Sequence, residues 1–118
     1  MSNRSQVAMY RFMQTLTASI DRNLPITIAL VFSRVAAAGD SGVLQATVGR
    51  ELGVSGAALS RSVKTLSAGA GCSGGAALVA RSIDGPDGRD KTLRLTEKGA
   101  ALVAAMSQAI YLGQERLA

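Results

Sequence analysis

The sequence has no histidine, and its single cysteine is Cys72. Within these 118 residues an intramolecular disulfide is therefore excluded, as are a His-based catalytic triad and a Cys/His zinc site. The sequence contains no other pairing of a nucleophile with a base and no metal-binding cluster. We therefore expect a protein that is not an enzyme, that needs no cofactor or metal ion, and that resides in a reducing compartment.

Aromatic residues and long apolar runs are also scarce. The aromatic residues are Tyr10, Phe12, Phe32 and Tyr111, which leaves few rings to stack on an aromatic ligand. The longest apolar run, residues 24–35, is too short to span a membrane. Polar and charged residues interrupt the N-terminus, unlike a signal peptide. The sequence thus predicts a soluble intracellular protein with no membrane partner.

Basic residues outnumber acidic residues by 13 to 8, which gives a formal charge of +5 and a pI near 10.2. Such a balance suits a polyanionic partner, although it also serves simple solubility. Residues 50–98 carry eight basic and five acidic side chains, a net charge of +3. This mild concentration of charge favours nucleic-acid binding. The length predicts a single domain over residues 1–118.

The stretch from Leu44 to Leu66, LQATVGRELGVSGAALSRSVKTL, carries two helical periodicities separated by a tight turn at residues 53–55. Apolar residues recur at helical spacing and turn one stripe of each helix inward. These residues are Leu44, Val48 and Leu52 in the first half and Leu59, Val63 and Leu66 in the second. The opposite side of the second predicted helix carries small residues at its start and basic residues farther along. The pattern predicts a DNA-reading helix-turn-helix over residues 44–66.

Two strand-like runs follow, Leu78–Ile83 and Lys91–Leu95, with the turn-rich segment DGPDGRD between them. This order predicts a β-hairpin over residues 78–95, with Arg89 at its tip. Directly after a helix-turn-helix, a basic hairpin is a candidate wing that lies along the DNA backbone or in the minor groove. A solvated hairpin face is the alternative interpretation.

The segment between these motifs, Gly69 to Gly75, contains four glycines and Cys72. It includes a formal G-x-G-x-x-G pattern, but a dinucleotide site requires a strand before the glycines and a helix after them. Here the order is reversed, so we interpret the segment as a connecting loop. Cys72 is interpreted as a lone cysteine, and a thiol sensor is the alternative.

Amphipathic helices are predicted at both ends, over residues 5–20 and 96–118, with Thr96 capping the second. A helix over residues 26–38 is apolar almost all round and is expected to be buried. The final helix, about 22 residues and on the order of 33 Å long, exceeds what the small middle part of the chain can cover. We therefore predict a homodimer built from the terminal helices, and packing of the same faces on their own domain is the alternative. The predicted interface comprises Met9, Phe12, Met13, Leu16, Ile20, Leu102, Met106, Ile110 and Leu117.

These segments, in this order, resemble the MarR-type winged helix-turn-helix regulators. Residues 48–55, VGRELGVS, resemble the family's first reading helix and turn, and residues 59–66, LSRSVKTL, resemble its recognition helix. Residues 78–81, LVAR, resemble the first wing strand, and DGRDK at residues 87–91 resembles the wing tip. The second wing strand and the following helix are matched by LRLTEKG at residues 93–99. The resemblance covers residues 24–103.

The resemblance implies a mainly α fold with a small β-hairpin wing, an α+β winged helix-turn-helix with N- and C-terminal dimerisation helices and a reading core over residues 24–95. It also implies dimeric operator binding, a common role as a repressor, and a cytoplasmic location in a prokaryotic or phage-infected cell. The glycine-rich link is longer than the family's usual turn, which we associate with members carried by phage and other mobile elements. Many members bind a small-molecule effector, and the sequence leaves open whether this one does.

The function hypothesis is a homodimeric regulator that places residues 55–64 of each subunit in successive major grooves of a pseudo-palindromic duplex. Arg61 is the best candidate for a base contact, because its planar fork matches guanine O6 and N7. Small residues would permit close approach, and Arg89 would reach the minor groove from the wing. The other basic residues would hold phosphates, namely Arg50, Lys64, Arg81, Lys91 and Arg94. The full predicted DNA-binding set is Arg50, Ser55, Gly56, Ala57, Ser60, Arg61, Lys64, Arg81, Arg89, Lys91 and Arg94. The alternative is a winged-helix protein-interaction module, such as an antirepressor or a polymerase-binding factor, without specific DNA binding.

Overall fold

The computed structural model describes residues 4–20, 22–67, 77–84 and 90–117. The helices are α1 Arg4–Ser19, α2 Ile26–Ala38, α3 Gln45–Leu52, α4 Gly56–Leu66 and α5 Glu97–Leu117, and the strands are β1 Val43–Leu44, β2 Val79–Asp84 and β3 Asp90–Leu95. A single 3₁₀ turn, Gly39–Ser41, joins α2 to β1. This mainly helical chain with a small antiparallel sheet confirms the predicted fold class.

The chain divides into two compact units. Residues 25–100 form one unit, which contains α2 to α4, the three strands and the start of α5. Residues 1–24 and 101–118 form the other. The helix-turn-helix and the wing therefore belong to the same unit, and the single domain predicted from the length stays a prediction.

The core of the unit formed by residues 25–100 is made by one face of α2, the inward stripes of α3 and α4, and the sheet. Phe32, the largest of the fully buried side chains, lies on α2. The predicted stripe of α4 is confirmed, since Leu59, Val63 and Leu66 are at most 3% exposed. Other buried members are Ile28, Val31, Val35, Val48, Leu78, Val79 and Leu93. Apolar burial at helical spacing thus fixes the inner side of α4, whereas α3 buries Val48 and leaves Leu52 half-buried.

The sheet has the order β1-β3-β2, and both pairings are antiparallel. Leu93 on the central strand pairs with Val43 on one side and with Arg81 on the other. The wing is therefore attached through β1 to the segment that leads into α3. The sequence predicted the hairpin but did not predict β1.

Two features of this unit differ from the predictions. Leu44 is wrong as a helical core residue, because it lies in β1 and is 44% exposed, and the first reading helix begins at Gln45. The helix α2 is not buried all round, since Ile26 and Leu30 are 56% and 45% exposed. The limits of α2 at Ile26 and Ala38 agree with the prediction, and Pro25 is its N-cap residue.

The junction between wing and α5 is closely packed around the backbone of Leu78. The Leu78 N–H donates to the carbonyl of Leu66 at 2.8 Å, and its carbonyl accepts from the Thr96 N–H at 3.0 Å. The Thr96 hydroxyl donates to the carbonyl of Ala77 at 2.6 Å and accepts from the Gly99 N–H at 3.0 Å. The predicted cap at Thr96 is thus present, and it also joins α5 to the start of β2.

In the other unit, the predicted interface residues fall into two groups. Met9, Tyr10 and Met13 on α1 are 62%, 65% and 39% exposed. Leu16 and Met106, in contrast, are at most 3% exposed in the single chain, so they contribute core rather than free surface. Phe12, Ile20 and Leu102 are half-buried. The side chains of Ile110 and Leu117 lie outside the described residues, as do Arg89, Cys72 and the Gly69–Gly75 segment.

Candidate nucleic-acid interface

The turn between α3 and α4 has the geometry of a helix-turn-helix. Gly53 ends α3 in the left-handed conformation, with φ +66°, which a residue without Cβ adopts without strain. Its N–H donates to the carbonyl of Gly49 at 2.9 Å, and the N–H of Val54 donates to the same oxygen at 3.2 Å. The hydroxyl of Ser55 then accepts from the Ala58 N–H at 3.1 Å and caps α4. Local chain chemistry thus sets the angle at which α4 leaves the turn.

The outward face of α4 matches the one predicted from the sequence. Gly56 and Ala57 are exposed at its start, and Arg61 and Lys64 are exposed farther along, whereas Ser60 is half-buried. The sequence did not indicate that Ser62 is buried at 6% exposure, where its hydroxyl donates to the carbonyl of Ala58 at 3.2 Å. The outward face of α4 therefore carries small side chains at its start and two basic side chains farther along, and its apolar residues face the core.

An ion pair that the sequence analysis missed joins α2 to α3. The Nε of Arg34 lies 2.7 Å from Oε1 and 3.1 Å from Oε2 of Glu51. Both side chains are about one-third to two-fifths exposed, so the pair orients α3 more than it stabilises the fold. Arg50, on the same helix, is exposed, and its guanidinium lies 3.5 Å from the Thr47 hydroxyl.

The wing brings exposed basic residues to the same unit. Arg81 on β2 and Lys91 on β3 are exposed. A cleft of about 260 Å³ is lined by the start of α3, the start of α4 and the start of β3, including Gln45, Gly56 and Lys91. The start of β3, at the turn end of the wing, therefore flanks the N-terminal end of α4.

Arg94 was predicted as a phosphate contact, but the structure gives it partners within the chain. Its Nη1 donates to the Ser82 hydroxyl at 3.1 Å, and its Nε donates to the carbonyl of Asp40 at 3.4 Å. Its neighbours Thr92 and Leu93 are both buried.

Among the described side chains, no group of three or more His, Cys, Asp or Glu residues is placed to hold a metal ion. Within the same part of the chain, no helix is long and apolar enough to cross a membrane. A helix-turn-helix followed by an antiparallel hairpin that flanks its second helix defines a winged helix.

No family model and no curated protein matches the chain. Among solved structures, it is similar to the MepR–DNA complex of S. aureus, with 20% identity, a TM-score of 0.66, and coverage of 97% of this chain and 86% of that one. It is also similar to the PcaV transcriptional regulator from Streptomyces coelicolor, with 19% identity, a TM-score of 0.58, and coverage of 96% and 76%. PcaV in complex with its natural ligand matches at 24% identity and a TM-score of 0.55, with coverage of 91% and 72%.

These neighbours are MarR-family transcriptional regulators. The chain has their winged-helix fold, which confirms at the level of fold the resemblance read from the sequence.

Proposed function

We propose that this chain is a sequence-specific, double-stranded DNA-binding transcription regulator. The observation that carries the proposal is the face of α4, where exposed Gly56 and Ala57 at the helix start are followed by exposed Arg61 and Lys64. A helix that begins with small side chains can approach the edges of the bases closely. Basic side chains farther along the helix can then contact the phosphates on either side of the groove. The net charge of +5 and the similarity to the MepR–DNA complex support this reading.

The proposed contacts divide by chemistry. Arg61 reads a base, because its guanidinium can donate two parallel hydrogen bonds to guanine O6 and N7. Arg50, Lys64, Arg81 and Lys91 bind phosphates, which positions the protein without reading sequence. Ser55 already uses its hydroxyl oxygen to cap α4, so its hydroxyl hydrogen remains to donate to a phosphate. Ser60 permits close approach to the groove, and Arg89, which the sequence places at the hairpin tip, is proposed to reach the minor groove.

The regulator is proposed to act as a homodimer, most simply as a repressor at a pseudo-palindromic operator. Three large apolar side chains of α1, Met9, Tyr10 and Met13, are exposed on consecutive turns. Contiguous apolar surface of this kind is normally covered by a partner, and a twofold dimer covers it with a second copy of itself. Two α4 helices related by a twofold axis would read half-sites about 34 Å apart, one helical turn of DNA.

The test is selection of bound duplexes from the source genome, followed by titration of one selected site and one unrelated site across a range of salt. Arg61→Ala should lower affinity for the selected site by roughly 5- to 150-fold, the range for one bidentate base contact. Affinity for the unrelated site should fall far less. Arg22→Ala removes the same charge from an exposed residue outside the unit of residues 25–100 and is the matched control.

Three outcomes separate the interpretations. Equal losses at both sites would reassign Arg61 to the backbone. Binding without salt dependence, or no binding by the wild-type protein, would favour the protein-interaction module instead.

Sedimentation of wild-type protein and of Met13→Glu tests the dimer, because a carboxylate in an apolar interface should shift the protein to monomer. Transcription from a reporter carrying the selected site distinguishes repression from activation.

A further inference from the structure

One guanidinium joins three separate segments of the unit formed by residues 25–100. Arg94 lies on β3, the central strand of the sheet. It donates to Ser82 on β2 and to the carbonyl of Asp40 in the 3₁₀ turn that precedes β1. The two strands of the wing and the entry to the helix-turn-helix are thus connected through a single side chain.

The aliphatic part of the Arg94 side chain packs against the backbone of Gly42, the residue that follows this turn. Gly42 has φ +77°, and a Cβ built on it would lie 2.7 Å from Cγ of Arg94 and 2.9 Å from the carbonyl oxygen of Leu93. No side chain fits in that space without displacing the aliphatic stem of Arg94 or the strand itself. The packing at Gly42 is a second observation, independent of the hydrogen bonds, that places Arg94 against the turn.

We propose that Arg94 is a positioning residue that sets the orientation of the wing relative to α4 rather than a phosphate contact. This inference rests on the proposed function, since its consequence is where Arg81 and Lys91 meet DNA. The strands themselves are held by backbone hydrogen bonds and by buried Leu93. Arg94 is exposed, so its loss removes no apolar core and leaves the hairpin formed. What is lost is the restraint between the hairpin and the turn.

The experiment compares four variants at one selected operator. Arg94→Met removes the charge and every donor, Arg94→Lys keeps the charge but loses the planar fork, and Ser82→Ala removes one acceptor without altering charge. Each should bind roughly three- to tenfold more weakly than wild type, the equivalent of about one hydrogen bond, with an unchanged slope of log affinity against log salt. Lys91→Met is the matched control for a phosphate contact, and its slope should fall by about 0.9.

A cycle through Ser82→Ala, Arg94→Met and the double variant tests whether the two residues act together. The double variant should be no weaker than the more severe single variant, because both changes break the same restraint. Ser82→Ala and Lys91→Met should instead combine additively.

Two results would overturn the proposal. One is wild-type affinity for Arg94→Lys together with a reduced salt slope for Arg94→Met, which would make Arg94 a phosphate contact. The other is wild-type affinity for Ser82→Ala. Amide hydrogen exchange of β2 supplies a readout without DNA, and it should quicken in Arg94→Met and Ser82→Ala relative to Lys91→Met. If wild-type protein bound no DNA but this exchange pattern appeared, the proposed function would fail while the restraint stood.

Discussion

Replacing Thr96 by Val tests the junction between the wing and α5 with almost no change in side-chain shape. The Thr96 hydroxyl makes two hydrogen bonds, one from the Gly99 N–H at 3.0 Å and one to the Ala77 carbonyl at 2.6 Å. The first caps α5. The second holds Ala77, whose φ of +59° is unfavourable for a residue with a Cβ.

The expected cost follows from these two contacts. Loss of a helix N-cap costs about 0.5–2 kcal/mol, and loss of a half-buried hydrogen bond costs about 0.5–1.5 kcal/mol. Relaxation of Ala77 recovers part of this, so Thr96→Val should lower the free energy of unfolding by about 1–3 kcal/mol. In a domain of this size that corresponds to a fall in Tm of roughly 4–12 °C.

Urea and thermal unfolding, followed by circular dichroism, measure this cost. Thr65→Val is the matched control, because it makes the same replacement of a hydroxyl by a methyl group. The Thr65 hydroxyl is exposed and donates only to the backbone carbonyl of Arg61 within α4. The control should change stability by no more than about 0.5 kcal/mol. If the urea midpoints of the two variants coincide at equal slope, the Thr96 hydroxyl does not stabilise the junction and the reasoning is refuted.

Three further changes probe the same unit. Gly99→Ala places a Cβ against the carbonyl oxygen of Leu78, so α5 must shift, and urea unfolding should show a loss of about 1–3 kcal/mol. Ser55→Ala removes the cap of α4 and should cost about 1 kcal/mol, whereas Ser55→Gly should cost only a few tenths. Breaking the exposed Arg34–Glu51 pair with either alanine variant should cost less than about 1 kcal/mol, and high salt should erase most of the difference from wild type.

Local patterns were sufficient for most of the helices. The α2 limits at Ile26 and Ala38 and the turn at residues 53–55 agree with the structure because each rests on neighbouring residues: a proline N-cap, helical apolar spacing and a left-handed glycine. The inward stripe of α4 was likewise readable, because a helix in a small domain must bury its apolar side. The hairpin was readable from two strand-like runs around a turn.

Errors arose where distant segments meet. Leu44 continues the helical periodicity of α3, yet it pairs with Thr92 in the sheet, and a contact across nearly fifty residues leaves no local signal. The partners of Arg94 likewise had no local signal, because Asp40 and Ser82 lie 54 and 12 residues away, and its phosphate contact stays a prediction. Ile26 and Leu30 look like core residues by composition, and only the packing shows that their side of α2 is exposed.

The sequence alone therefore determined the set of helices, the reading turn, the capped start of α5 and the basic face of α4, since each depends on hydrogen bonds and burial within one short segment. Only the tertiary structure decided that β1 joins the wing, that Leu78 links α4 to α5, and which basic side chains have hydrogen-bond partners in distant segments. Those features depend on where segments far apart in the chain come together, and residue type does not specify that.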